Sequence, residues 1–247
     1  MLLKNKTAVL TGCSRGIGKE TLNVLSKNGA SVFACVRKID KEFLDYTKKL
    51  EVQFKNNIYP IEIDLSKEEN VKSSAEKILK QGIPIDILIN NAGIIHTAIF
   101  QMTSIKKLRE IFETNYFSQT LFTQYMLKSM TKNKKGSIIY ISSSSAIDGD
   151  EGRSAYSSSK AAIISHAKVL SKELGKINIR VNVIAPGPTN TRMMLENTPK
   201  TMHEEIKSKI SLKRFGEANE IASAILFFSS DLSNFVTGQV LRVDGGM

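Results

Sequence analysis

Short apolar runs alternate along this chain with longer stretches in which apolar residues recur every three or four positions. The apolar runs have the length of strands, and their near-continuous apolar character is typical of strands buried on both faces of a parallel sheet. The intervening stretches have the pattern of amphipathic helices. We predict strands over 7–11, 30–37, 58–65, 85–93, 136–142, 179–187 and 238–246, and helices over 17–29, 40–54, 66–82, 104–133, 154–175 and 217–230.

Strands that alternate with helices predict an α/β fold, in which one doubly wound parallel sheet of about seven strands carries helices on both faces. No linker, repeat or change of composition divides the chain, so we expect one domain over residues 1–247. Ser66 followed by Glu69 has the spacing of a capping box and predicts the start of the third helix.

Composition excludes several classes of protein. The net charge is +11, but the lysines are scattered and no nucleic-acid-binding motif accompanies them, which favours a solvated basic surface over a nucleic-acid partner. The two cysteines, Cys13 and Cys35, form neither a disulfide framework nor a zinc pattern, and we expect no metal. No apolar run reaches membrane-spanning length and the start lacks a signal-peptide core, so we expect a cytoplasmic protein with no membrane partner.

A glycine-containing turn joins the first predicted strand to the first predicted helix. Its glycines, Gly12, Gly16 and Gly18, have the spacing G-x-x-x-G-x-G. We expect Gly12 to form the tight turn, and Gly16 and Gly18 to let a ligand approach the backbone closely. The helix that follows directs its first N–H groups toward the same place, where they suit a pyrophosphate.

Tyr156 and Lys160 are four residues apart on a predicted helix and therefore share a face. A free tyrosine has a pKa of about 10, which a nearby ammonium lowers, so the pair suits proton transfer to and from a carbonyl oxygen. Four serines, Ser142 to Ser145, leave the fifth strand, and periodicity does not choose among them.

Four motifs together resemble the short-chain dehydrogenase/reductase family over essentially the whole chain. They are the glycine turn after "AVLT", "NNAG" at 90–93, "YSSSK" at 156–160 and "APGPTNTRM" at 185–193, and "TGQVLRVDGG" near the end fits as well. The resemblance implies a Rossmann-type fold and a nicotinamide-dependent oxidoreductase. Within the family, the 3-oxoacyl-(acyl-carrier-protein) reductases are the most similar.

The resemblance also implies roles for single residues. Tyr156 donates or takes the proton, Ser143 binds the reacting oxygen, Lys160 holds the nicotinamide ribose, and the backbone of Asn115 holds a water that links the lysine to solvent. Ser143 and Tyr156 would then also be the substrate-binding residues. The cofactor contacts implied are Gly12, Ser14, Arg15, Gly16, Ile17, Gly18, Arg37, Asp64, Leu65, Asn91, Ala92, Gly93, Tyr156, Lys160, Pro186, Gly187, Thr189 and Thr191.

The end of the second strand indicates which dinucleotide binds. A site for NAD normally has an acidic residue there for the ribose hydroxyls, whereas this strand ends in Val36 and Arg37. Arg15 in the glycine turn adds a second guanidinium, and arginine suits a phosphate. The sequence therefore predicts NADP(H).

Three functions are compatible with these residues. The first is NADPH-dependent reduction of a 3-oxoacyl group on acyl carrier protein, the second is oxidation or reduction of a sugar, polyol or other secondary alcohol, and the third is a silent dinucleotide-binding scaffold. The substrate-facing segments 94–103, 146–155 and 188–212 follow no side-chain rule that separates the first two. We expect an acidic carrier to meet a basic rim made by Lys132, Lys134, Lys135, Lys172 and Lys176. Apolar stretches on the helices at 115–133 and 155–174 predict a homo-oligomer, and the family resemblance implies a tetramer.

Overall fold

A seven-stranded parallel sheet forms the centre of the computed structural model, which describes residues 1–247. The spatial order is β3-β2-β1-β4-β5-β6-β7, and each neighbouring pair runs parallel. This is the predicted doubly wound, Rossmann-type arrangement. The strands are β1 Thr7–Thr11, β2 Ser31–Val36, β3 Ile58–Glu62, β4 Ile87–Asn90, β5 Gly136–Ile141, β6 Ile179–Pro186 and β7 Val240–Val243.

Helices cover both faces of the sheet. The helices are α1 Gly16–Lys27, α2 Lys41–Phe54, α3 Glu68–Lys80, α4 Ile105–Phe112, α5 Ser118–Asn133, α6 Ser145–Asp148, α7 Ser154–Gly175, α8 Arg192–Asn197, α9 His203–Lys209 and α10 Ala218–Ser229. Helix α7 begins and ends where the sequence predicts it.

Alternate residues of each strand supply two cores, one on each face. Leu10 of β1 packs in the core that contains Leu22 of α1 and Ile225 of α10. Its neighbour Val9 packs on the opposite face in the core that contains Phe122 of α5 and Ile163 of α7. Because both faces are covered, the central strands need the continuous apolar pattern seen in the sequence.

The predicted capping box at the start of α3 is wrong. The helix begins at Glu68, one residue after Lys67, and no side chain caps it. The Ser66 hydroxyl instead donates to Asp64 Oδ1 at 2.7 Å, because the Asp64 carboxylate lies only two residues away and is a stronger acceptor than a distant helix end. A capping box forms at Glu217, where the Glu220 side chain accepts from the Glu217 backbone N–H.

The strand order places a crevice at the carboxyl ends of β1 and β4. The chain winds outward from β1 in one direction through β2 and β3, and in the other direction from β4 onward. Ligands of open α/β sheets bind at such a reversal. No helix of the protein is both long enough and apolar enough to cross a membrane.

Candidate active site

A cleft of about 810 Å³ lies at this edge of the sheet. Of the residues predicted to contact the cofactor, every one except Asp64 lines the cleft. The cleft therefore joins the glycine turn, the "NNAG" segment, the Tyr156 helix and the segment after β6, although these parts are far apart in the chain.

Gly12 makes the turn at the end of β1. Its φ is +72°, and a Cβ placed there would lie 2.8 Å from Ala92 Cα, so only glycine fits. Thr11 fixes the same place, because its hydroxyl accepts hydrogen bonds from the backbone N–H groups of Asn91 at 3.0 Å and Ala92 at 3.1 Å. These contacts lock the end of β1 to the segment after β4.

Gly18 has a different role from the predicted one. A Cβ on Gly18 would lie 2.1 Å from Gly12 O and 2.6 Å from Asn91 Nδ2, so its absence lets α1 pack closely against the turn rather than admitting a ligand. Asn91 Nδ2 holds the turn by donating to Thr11 O at 2.9 Å and Gly12 O at 3.1 Å. Asn91 thus shapes the cleft that it lines.

The amino terminus of α1 is open to an anion. The helix begins at Gly16, no side chain caps it, and its first turn contains no acidic residue. The first N–H groups of a helix have no partner within the helix, and they carry partial positive charge. A pyrophosphate supplies the missing acceptors and the opposite charge, so this end of the cleft fits a dinucleotide.

Two arginines lie at the end of the cleft beyond β2. Arg15 and Arg37 both line it, and the Arg37 side chain is 68% exposed. Arg37 Nε is 3.9 Å from Asp64 Oδ1, and the same carboxylate oxygen accepts from the Ser66 hydroxyl. The carboxylate of Asp64 is thus directed at Ser66 and Arg37, whereas the next residue, Leu65, lines the cleft.

Tyr156 and Lys160 lie together on α7 at the other end of the cleft. Tyr156 is 9% exposed and Lys160 is 3% exposed. Lys160 Nζ lies 6.0 Å from the centre of the Tyr156 ring and donates to Ile141 O at 2.8 Å. Burial lowers the pKa of Lys160 to about 8, because the ammonium loses its hydration.

The expected lowering of the Tyr156 pKa does not occur in this structure. Burial raises the pKa of the phenol above its ordinary value, and the nearby Ser143 hydroxyl and the charge of Arg153 oppose that rise only in part. The prediction was wrong because it counted the lysine charge and left out the cost of burying a phenolate. The phenol is therefore protonated at neutral pH.

The structure separates the four serines that the sequence could not. The Ser142 hydroxyl donates to Lys160 O at 2.9 Å, so this hydroxyl binds the backbone of α7 rather than a ligand. Ser142, Ser143 and Ser144 all line the cleft, but it is the Ser143 hydroxyl that faces Tyr156, and this hydroxyl lies 2.9 Å from the Ser145 hydroxyl. Ser144 is buried and Ser145 begins α6. Ser143 is thus the serine placed to contact a ligand beside Tyr156.

Asn115 lies in a π-helical turn, Glu113–Phe117, between α4 and α5. Its side chain is fully buried, accepts from Ile94 N at 2.8 Å, and donates to Ile94 O at 2.9 Å and Ser159 Oγ at 3.0 Å. The amide therefore ties the segment after β4 to α7. A π turn interrupts the regular backbone hydrogen bonds of a helix, and such turns occur frequently at functional sites.

The rest of the cleft is built from the three segments that the sequence named only as ranges. Residues of 94–103 and 146–155 form two walls, and α8 and α9 form the third. Four of the eight methionines line the cleft, namely Met193, Met194, Met202 and Met247. Sequence reasoning missed these methionines and also Arg153. The available signal for Arg153 was its place three residues before Tyr156, at the start of the same helix.

The lysines of the predicted basic rim lie at the other edge of the sheet. Lys132 is in the last turn of α5, and Lys134 and Lys135 directly precede β5. Lys172 and Lys176 lie at the end of α7, shortly before β6. These helix ends meet the amino ends of the strands, whereas the cleft lies at their carboxyl ends. Within one chain the rim therefore does not border the cleft.

Comparison with known proteins gives consistent matches. Residues 12–247 match the family model described as "Enoyl-(Acyl carrier protein) reductase". The chain is 36% identical over 247 residues to the 3-oxoacyl-(acyl-carrier-protein) reductase FabG of Thermotoga maritima, covering 100% of this chain and 99% of that protein. It is 38% identical to FabG of Chlamydia trachomatis, covering 100% and 98% respectively. A solved structure titled "short chain dehydrogenase/reductase family protein" superposes with a TM-score of 0.86 at 30% identity, covering 100% of this chain and 98% of that one.

Proposed function

Because this chain belongs to the short-chain dehydrogenase/reductase family, we propose that it is an NADP(H)-dependent oxidoreductase that reduces a 3-oxoacyl group carried by acyl carrier protein. The observation that carries the proposal is the single cleft, which has an uncapped helix end and two arginines at one end and Ser143, Tyr156 and Lys160 at the other. The named activity of the relatives supports the choice of substrate.

The residues of the cleft would hold the cofactor by its phosphates and ribose. The first N–H groups of α1 bind the pyrophosphate, Arg15 and Arg37 bind a 2′-phosphate, and Lys160 binds the nicotinamide ribose. The dinucleotide supplies a hydride in reduction and accepts one in oxidation. The chain's own residues handle the oxygen and the proton.

Ser143 and Tyr156 act on the carbonyl oxygen of the substrate. The Ser143 hydroxyl donates a hydrogen bond that fixes this oxygen, and Tyr156 donates the proton that turns it into a hydroxyl. A phenol whose pKa burial has raised is fully protonated at neutral pH, so it is ready to act as an acid in reduction. In the reverse direction the same phenol must first lose its proton, so oxidation needs a higher pH.

Lys160 and Asn115 support this proton donor. The Lys160 ammonium lies on the same face of α7, where a positive charge favours the phenolate left after proton transfer. Asn115 holds the segment that lines the cleft beside Lys160, and its π turn frees backbone groups that can bind a water. Through such a water the lysine exchanges protons with solvent.

The preference for NADP(H) rests on Arg37 and Arg15. Each can form two parallel hydrogen bonds to a phosphate, and Arg37 is exposed and free to turn toward one. The end of β2 offers no carboxylate to the ribose hydroxyls, because Val36 and Arg37 occupy that place. Both features favour the phosphorylated cofactor over NAD(H).

An acyl substrate suits the wall opposite Tyr156. Methionine side chains are flexible and apolar, so Met193, Met194 and Met202 can adapt to acyl groups of several shapes. The same wall also carries polar side chains, among them Arg192, Asn197 and Glu205, so it does not exclude a sugar or polyol. The position of the lysine rim, however, removes the charge argument for a carrier protein within one chain. A secondary alcohol or ketone that is free in solution therefore remains the second candidate.

We also propose a homotetramer. Large apolar side chains are exposed at two separate places. Phe117 of the π turn and Val169 of α7 form the first, and Leu232 and Phe235, shortly before β7, form the second. A closed tetramer with two-fold axes needs two different self-complementary surfaces, and these two places supply them. Light scattering at micromolar concentration tests this proposal, and a monomer would contradict it.

The function is tested by following NADPH oxidation with acetoacetyl-(acyl carrier protein), acetoacetyl-CoA and a panel of sugars and simple ketones. We expect turnover of the acetoacetyl thioesters with NADPH, a lower kcat/KM with NADH, and the highest kcat/KM with the carrier-bound substrate. Equal kcat/KM values for acetoacetyl-(acyl carrier protein) and acetoacetyl-CoA would refute acyl carrier protein as the substrate carrier. The second candidate, a ketone or secondary alcohol that is free in solution, would then be favoured. Absence of turnover with every substrate would favour a silent scaffold.

A further inference from the structure

Arg153 is a charged residue inside the cleft that the proposed mechanism does not use. It lies one turn before Tyr156, lines the cleft, and has a side chain that is only 23% exposed. Burying most of a guanidinium is costly unless it has acceptors. The contacts that it makes in the structure are therefore informative.

The guanidinium of Arg153 has more donors than partners. Its Nη2 donates to Thr198 Oγ1 at 3.3 Å, and its Nη1 lies 3.7 Å from Asp150 Oδ2, which is beyond hydrogen-bond distance. Arginine has five N–H donors in a planar fork. Asp150 and Thr198 orient the fork from two sides and leave most of its donors free.

Arg153 lies at the reacting end of the cleft, at the start of the helix that carries Tyr156. The charge of Arg153 acts on the Tyr156 phenol, opposing part of the rise in its pKa that burial causes. Residues three apart at a helix start lie about 5–6 Å apart at their Cβ atoms. An acceptor oxygen three bonds from the carbonyl carbon whose oxygen Tyr156 holds therefore falls within reach of Arg153.

A 3-oxoacyl ester or thioester carries such an oxygen. Its second carbonyl is separated from the reacting ketone by one methylene, and the cleft also has apolar side chains, among them Ile95, Met193 and Ile206, for the rest of the acyl group. Within the function proposed above, we propose that Arg153 is a specificity-determining residue that binds the second carbonyl oxygen while Ser143 and Tyr156 hold the oxygen that reacts. The fork selects substrates with two carbonyls in this spacing over simple ketones.

The test compares two ketones of the same chain length, ethyl 3-oxobutanoate and 2-heptanone, which differ in the ester group. The wild-type enzyme and the variants Arg153→Gln, Arg153→Lys and Arg192→Gln are assayed with NADPH. Arg192 is the control, because it also borders the cleft but is 69% exposed and paired with Glu196. Fluorescence titration with NADPH checks that each variant still binds cofactor.

We expect Arg153→Gln to lower kcat/KM for the ester about 10- to 100-fold and to leave 2-heptanone within about threefold, since a hydrogen bond to a charged group is lost in one case only. Arg153→Lys should restore part of the ester activity. Arg192→Gln should not change the ratio between the two ketones.

Two results would overturn the inference. An equal loss on both ketones would mean that Arg153 acts through Tyr156 or the fold, and no loss on either would mean that it contacts no substrate. Both results leave the proposed reductase function standing. If the wild-type enzyme reduced neither ketone, nor acetoacetyl-CoA, nor acetoacetyl-(acyl carrier protein), the proposed function itself would fail and the inference with it.

Discussion

Lys160 should make the stability of this protein depend on pH in a specific window. Burial lowers the pKa of this lysine from 10.5 to about 8, and its ammonium has one hydrogen-bond partner, Ile141 O. Between pH 8 and 10.5 the unfolded chain therefore binds a proton that the folded chain has lost. Stability rises with pH wherever the unfolded state binds more protons, so the free energy of unfolding increases as the pH rises through this window.

The magnitude follows from the shift. A difference of one pKa unit corresponds to about 1.4 kcal/mol, so the full shift amounts to roughly 3 kcal/mol, of which about 2 kcal/mol should be recovered between pH 7 and pH 9.5. The variant Lys160→Met lacks the titrating group. The free energy of unfolding of the wild type minus that of the variant should rise by this amount over the same interval.

Urea denaturation of both proteins at several pH values measures this difference, and taking the difference cancels the titration of all other groups. Lys168→Met is the matched control, because Lys168 is exposed on the same helix. Its difference from the wild type should stay constant. A difference for Lys160→Met that also stayed constant within about 0.5 kcal/mol would refute the buried-ammonium reasoning.

Three further predictions concern the cleft. Tyr156→Phe should lower turnover about 10²- to 10⁴-fold while NADPH affinity, measured by cofactor fluorescence, stays near normal, because only the proton donor is lost; near-normal turnover would remove Tyr156 from the mechanism. Arg37→Asp should shift the ratio of kcat/KM for NADPH and NADH toward NADH, since it replaces an attraction to the 2′-phosphate by a repulsion, and an unchanged ratio would mean that Arg37 contacts no cofactor. Gly18→Ala should weaken NADPH binding and destabilise the fold by about 1–3 kcal/mol, because its Cβ would lie 2.1 Å from Gly12 O. Gly175→Ala, where a Cβ meets nothing within 4 Å, is its control, and equal stability of the two variants would contradict the packing argument.

The sheet and its helices were predictable because the information is local. Strands buried on both faces must be apolar at successive positions, and helix α7 has its apolar pattern over its whole length, so both are visible in a window of a few residues. The π turn around Asn115 was not predictable. It is stabilised by hydrogen bonds to Ile94 and Ser159, which are distant in the sequence, and no local pattern marks it.

The capping box at Ser66 and the pKa of Tyr156 show a second kind of failure. In both, a correct local pattern competes with a stronger effect from its surroundings. The carboxylate of Asp64 accepts from the Ser66 hydroxyl, and burial raises the pKa of the Tyr156 phenol although a lysine lies four residues away. Spacing identifies which groups meet, but their energies depend on solvent exposure, which the sequence does not state.

The two ends of the cleft differ in how much the sequence reveals. At the cofactor end the backbone forms the site. Gly12 and Gly18 must be glycines because a Cβ on either would clash with neighbouring backbone atoms, so the spacing of glycines in the sequence reveals this part of the site. At the substrate end the site consists of side chains from three distant segments, and many residue types would fold equally well there. Arg153 is such a side chain: it is mostly buried, it contacts Asp150 and Thr198, and most of its guanidinium donors have no partner. A substrate carbonyl would supply an acceptor for these donors, which is why the substrate of this enzyme is better sought through Arg153 than through the apolar residues around it.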